Sequence, residues 1–361
     1  MPLKWKADSE NIQSDANGVW YCGIDYLRCF MALAVIAWHL RLFGETGFFN
    51  IDEYANHTIG WVDIIYFHVF FLAVPVFFLI SLYIFIERCA IPFAYLIARI
   101  ERLIFMFFFW CGAGMLIYLN LNDKSIVVFF KFWTDSMDRF ILFFISGGFT
   151  LYYFFLDLIF LTVFAYWTAA WHCRYQWALA TISLVQLWFF PAVVRWFDMW
   201  PMTVAYWNIL NFIPYVFISN LIHHYRNRLH SPRVLNGLIV VLAVAAIVTA
   251  VGEWQWFMCR ANFQYNNFAL PPYMRISVAI GTTLLFVIAL SLSRPAPVWV
   301  KFISDNSLGL YCLHQIVMIV LQKVDGYEKI QHSKIVEYVM VVSISLFLTP
   351  IIRRVFRSGL I

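Results

Sequence analysis

Charge is scarce in this sequence. Asp, Glu, Lys and Arg make up 12% of 361 residues, about half the roughly 25% of a soluble domain. That excludes a chain kept in solution by a charged surface. No block of Lys or Arg occurs, and the net charge is only +5, so nothing marks a nucleic-acid partner. Cysteine is thinly spread, at 22, 29, 89, 111, 173, 259 and 312, with no CxxC pair. This argues against a disulfide framework or a cysteine metal site; the cysteines read as packing residues and no metal is expected. HExxH, a Walker loop, GxGxxG, GxSxG and the HxxxD of soluble CoA acyltransferases are all missing. A nucleotide-driven pump or a soluble-type hydrolase therefore has no support. The polar stretch up to Val19 lacks a signal-peptide apolar core, so the first apolar segment is expected to stay as an uncleaved anchor.

What is abundant is apolar surface. Hydrophobic residues reach 63% and aromatics 20%, with 38 Phe and 16 Trp, and the mean hydropathy is +0.76. This is the composition of an all-α integral membrane protein that crosses the bilayer many times. Ten apolar segments lie near 24–43, 62–86, 101–120, 150–171, 175–191, 204–223, 234–252, 275–293, 306–323 and 336–356. The fifth is expected to be cut short by Pro191. The two apolar runs within 125–149 are too short to span and read as interfacial or re-entrant. Ten crossings in one bundle put both termini on one side. With the N-terminus inside, Lys and Arg divide fifteen inside to ten outside, which favours N-in and C-in. The chain reads as one domain over 1–361, with a short inner tail at 1–23 and spans over about 24–356.

The first segment, "GIDYLRCFMALAVIAWHLRLFG", carries Arg28 and His39 inside an apolar run. Eleven residues of helix make close to three turns, so both side chains share a face, roughly 16 Å apart along the axis. A guanidinium suits a phosphate and a sheltered imidazole suits proton transfer. The plainer reading is an arginine that snorkels to one interface and a histidine that ends the helix at the other. Asp25 lies one turn before Arg28 and reads as its orienting acid. In "YLIARIERLIF", Arg99 and Arg102 share a helical face and can clamp a polyphosphate, or simply flank a span on the positive side.

Arg28-x10-His39 together with Arg99-x-x-Arg102 resembles the acyltransferase-3 family of integral membrane acyltransferases. "VPVFFLISLYIF" (Val74–Phe85) is similar to its second-helix signature, and "SLGLYCLH" (Ser307–His314) to its late Ser-x-Gly-x-Tyr-x-x-His segment. The motifs occur in the family's order over nearly the whole chain. Cys29 stands where the family often has glycine, Ser81-Leu82-Tyr83 where it has Ser-Gly-Tyr or Ser-Gly-Phe, and Thr150-Leu151-Tyr152-Tyr153 where it often has His-Leu-Trp-Phe.

The resemblance implies a membrane O-acyltransferase, most simply an O-acetyltransferase, moving an acyl group from cytoplasmic acetyl-CoA or another acyl-CoA to a surface or exported polysaccharide or its lipid-linked precursor. It implies the bacterial cytoplasmic membrane, a saccharide acceptor, and polysaccharide-assembly proteins as candidate partners. Arg28, Arg99 and Arg102, with Asp25 behind Arg28, would hold the CoA phosphates, and His39 would be the base. His314 is a second candidate, catalytic or structural. Asp157, a lone acid in the fourth segment, needs a partner; it reads as a histidine-orienting acid. Glu253, Trp254 and Trp256 in "GEWQWFMCRANFQYNNF" mix acid and aromatic as a sugar site does, or as an interfacial belt does. His223, His224 and His230 read as a solvated basic flank. The competing readings are a polytopic transporter or flippase, though paired repeats are lacking, and a degenerate scaffold. The acceptor sugar, the acyl group and the oligomeric state stay open.

Overall fold

The computed structural model describes residues 22–46, 58–88, 93–121, 125, 127, 131, 134–147, 152–197, 205–258, 270–324, 326–327 and 331–356. These residues are helical or lie in turns, with no strand among them. The helices are α1 (Cys22–His39), α2 (Trp61–His68), α3 (Ala73–Glu87), α4 (Phe93–Leu121), α5 (Met137–Ile145), α6 (Tyr153–Thr168) and α7 (Cys173–Phe197). They continue with α8 (Ile213–Leu229), α9 (Pro232–Met258), α10 (Ile276–Ser291), α11 (Val298–Asp305), α12 (Ser307–Leu321) and α13 (Lys334–Phe356).

Among the described residues, six stretches are long and apolar enough to cross a membrane: α1, α2 with α3, α4, α7, α9 and α13. α6, α10 and α12 are shorter apolar helices of 16, 16 and 15 residues, and α8 has 17. Each of the ten segments read from the sequence falls on one of these helices. One boundary is corrected: Pro191 does not end the fifth, since α7 runs through it to Phe197. Proline removes one backbone donor, and an apolar span tolerates that loss where neighbouring groups compensate. Within 125–149, the nine-residue α5 starts at Ser136, whose hydroxyl accepts from the Arg139 N–H at 3.3 Å.

Burial divides the helices into a centre and a rim. Met31, Ile36, Val76, Phe78, Leu79, Val278 and Phe286, on α1, α3 and α10, are fully enclosed. α9 is opposite in character. It packs chiefly on α10 and otherwise exposes Val240, Val241, Val244, Ile247 and Val248, a face suited to lipid chains. In lipid, apolar contact between helices has little hydrophobic driving force, so close packing and interhelical hydrogen bonds must hold them. Both are present. Gly23 lets α1 approach the end of α10 so closely that an added methyl would fall 1.7 Å from the Ala289 carbonyl oxygen. Between α6, α7 and α8, Gln176 donates to the Thr168 carbonyl, and Asn220 donates to Gln176 at 3.1 Å.

The Trp61–Glu87 arm is broken. α2 ends at His68 and a 3-10 turn, Phe70–Leu72, leads into α3. Pro75 lies in the first turn of α3, where a missing N–H is harmless. The carbonyl of Phe67, next to the break, accepts from Arg275 Nη2 at 2.6 Å. A side chain from the start of α10 thus braces the bend.

Candidate active site

α1 and α12 bring two histidines together. The rings of His39 and His314 lie 5.3 Å apart at an interplanar angle of 38°. His314 is fully buried. Its Nδ1 lies 3.0 Å from the Leu310 carbonyl oxygen, one turn back. A carbonyl only accepts, so Nδ1 carries the proton and Nε2 presents a lone pair. That Nε2 is buried with no hydrogen-bond partner. Tyr311 stands beside it, ring centroids 6.1 Å apart. Tyr152 fixes α12 from α6 by donating to the Cys312 carbonyl at 2.8 Å.

The opposite end of α1 carries Arg28, half-buried. Asp25 and Asp305 are its electrostatic neighbours, and Asp25 accepts from Ser304 Oγ at 2.8 Å. Arg28 is therefore part of an acid-lined corner formed by α1 and α11. No contact joins it to Arg99 or Arg102 among the described residues.

Arg99 and Arg102 belong to a second basic group, at the Glu87 end of α3. Arg99 Nη2 donates to Ser81 Oγ at 2.7 Å and to the Ser81 carbonyl at 3.2 Å, and its guanidinium lies 5.0 Å from the Phe85 ring centroid. Arg102 is exposed. Arg88 donates to Tyr95 Oη at 2.8 Å. Glu87 pairs with Arg226 and with His223 Nδ1 at 2.9 Å. His223, read as part of a solvated basic flank, is partly exposed, and the turn of α8 places it on a carboxylate. Glu87, Arg88 and Arg226 were not singled out in the sequence; an acid–base pair closing an apolar segment was the available signal. The unusual Leu82 and Cys29 are both buried, at 0% and 4% exposure, so they fill space that glycine would leave open.

The remaining candidates separate. Asp157 is buried and its Oδ2 has no hydrogen-bond partner. No hydrogen bond ties it to a histidine among the described residues; its electrostatic neighbour is Tyr311. Glu253 turns inward: one carboxylate oxygen accepts from the Ser277 N–H at 2.8 Å and the other from Ser277 Oγ. It caps α10, as an acid at a helix N-terminus does. Trp254 is buried and donates from Nε1 to His68 Nε2 at 2.7 Å. Trp256 is half-buried and lies 5.0 Å from Trp188. An open sugar-stacking face made by Glu253 and Trp254 is therefore not what the structure holds. Glu253 lies beside a residue that sequence reasoning missed, Arg275, which is 1% exposed and has Glu253 as an electrostatic neighbour. It looked like an ordinary flank of the 275–293 segment.

Among the described residues no three His, Cys, Asp or Glu side chains come together as metal ligands do. A family model described as an acyltransferase domain, that of the acyltransferase-3 family, matches residues 22–354. No curated protein and no solved structure matches the chain. The match takes in both histidines and all three arginines of the sequence motifs; α1 and α4, which carry His39 and the arginines, are long and apolar enough to cross a membrane, and α12, which carries His314, is a shorter apolar helix. The chain belongs to the acyltransferase-3 family and is a multi-pass membrane acyltransferase.

Proposed function

We propose that the protein moves an acyl group, most simply acetyl, from a cytoplasmic acyl-CoA to a hydroxyl of an exported or lipid-linked saccharide in the bacterial cytoplasmic membrane. The observation that carries the reading is the His39–His314 pair at one end of α1, three helical turns from Arg28. In this reading the ten helical segments all cross, with both termini inside, and Arg99, Arg102 and Arg28 face the CoA phosphates. His39 accepts the proton of the acceptor hydroxyl as its oxygen bonds to the thioester carbon. The C–S bond then breaks, and the CoA sulfur leaves and is protonated. His314 Nε2, buried without a hydrogen-bond partner, is an acceptor available to hold the His39 ring as it gains the proton. Proteins that assemble the polysaccharide are the expected partners.

The test is mass analysis of surface glycans from cells with and without the gene, beside thiol release from acetyl-CoA by the purified protein. A lost acyl mass and saccharide-dependent thiol release are expected. Unchanged glycans with transport of a saccharide across sealed vesicles would replace the reading by a flippase.

A further inference from the structure

The geometry points to an interior binding site for an uncharged, hydroxyl-rich group, built by Arg275, Tyr215 and Thr282. It rests on the saccharide reading above and says where that acceptor is held.

A guanidinium has five N–H donors. Arg275 commits only Nη2, to the carbonyls of Phe67 at 2.6 Å and Pro272 at 3.3 Å. Its Nε and Nη1 are buried with no partner. The group lies over Phe71 and Phe67, 5.6 and 6.0 Å from the ring centroids, so those rings hold it from below without taking its donors. Tyr215, on α8, is one of its electrostatic neighbours. Tyr215 Oη and Thr282 Oγ1, both buried, interact with one another and make no other hydrogen bond. Arg275 thus leaves two nitrogens unmatched, Nε and Nη1, beside two hydroxyls that meet only one another. Buried polar groups are normally hydrogen-bonded, so such a concentration marks a place made for a guest.

The chemistry of the guest follows from the inventory. Three N–H bonds call for acceptor oxygens, and two hydroxyls both give and accept. Charge is already balanced: Glu253 stands near Arg275 as a carboxylate held by the Ser277 N–H and hydroxyl. An anion would unbalance the site, whereas sugar hydroxyls and ring oxygens fit it. The site lies on the reactive side of α1, since Phe71, beneath Arg275, also packs 4.3 Å from Trp38, the neighbour of His39.

The test uses the purified full chain with methyl glycosides of neutral hexoses, and with glucuronate as the anionic counterpart. Tyr215→Phe and Thr282→Val each remove a hydroxyl whose one protein partner is the other, so each should lower Tm only slightly. Each is expected to raise the KM for a methyl glycoside about tenfold, the effect of one lost hydrogen bond of ~1.4 kcal/mol, with the KM for acetyl-CoA moving less than about twofold. An unchanged glycoside KM, a clear fall in Tm, or preference for glucuronate over every neutral glycoside overturns the site; water alone in the cluster gives the first of these results. If the wild-type protein releases no thiol with any glycoside, the proposed reaction fails. The site is then judged by whether glycosides raise the Tm of wild type and not of the two variants, and the absence of that difference overturns it.

Discussion

Arginines sit at the joint and at the Glu87 end of the Trp61–Glu87 arm, and the two places use them differently. At the Glu87 end, Arg88 is bonded to Tyr95, Arg99 to Ser81 and Arg226 to Glu87, while Arg102 reaches the surface. At the joint beside Phe67, Arg275 is buried with its Nε and Nη1 donors uncommitted. The first arrangement suits a large charged ligand arriving from water, because guanidiniums already ordered by partners lose little freedom on meeting phosphate. The second suits a small polar contact out of water, where each hydrogen bond counts for more. A donor substrate bearing phosphates and an acceptor bearing hydroxyls would sort themselves between such places without further instruction.

The largest expected disruption is to the close approach of α1 to α10. Gly23→Ala places a methyl against the Ala289 carbonyl, and backbone atoms on both sides leave it no room. The variant should lose its monodisperse peak in detergent size-exclusion chromatography; a normal peak would show that α1 slides freely on α10. Next in size, His39→Ala should lower the rate of transfer by about 10²–10⁴-fold while the peak survives, and a normal rate would remove the histidine pair from the chemistry.

A sharper probe of the comparison is Arg99→Ala. The KM for acetyl-CoA should rise about tenfold, equivalent to ~1.4 kcal/mol, with the glycoside KM nearly unmoved. Equal changes for both substrates would mean the two places do not divide the work. The smallest effect is expected for Trp254→Phe, which keeps the ring against Phe67 but deletes the N–H given to His68. Thermal or denaturant unfolding in detergent should show a loss of about 1 kcal/mol, and a loss several times larger would mean that His68 depends on that bond to hold the bend.

How much of this was legible in the sequence depends on the range of the interaction. The shared face of Arg28 and His39, and the all-helical apolar plan, follow from helical period and composition, which are local. His314 could be found as a motif residue, but its place beside His39 depends on the packing of α12 against α1, which no spacing encodes. Glu253 and Trp254 looked like sugar contacts because an acid among aromatics has the same composition on a binding face and at a helix cap. Pro191 misled for a related reason: its local helix-breaking tendency is overridden inside a packed span. Arg275 was hidden by position, since an arginine just before an apolar segment reads as a flank until its side chain is seen folded back over Phe67 and Phe71.

The bend at Val69 gives these observations a mechanical side. The 27 residues of Trp61–Glu87 would make a straight rod of about 40 Å, longer than the roughly 30 Å of hydrocarbon it must cross. Instead the rod is articulated, and the carbonyl at its joint is pinned by Arg275. α3 runs from the joint to Ser81, where it holds Arg99, so a single helix links the pinned joint to the second basic group.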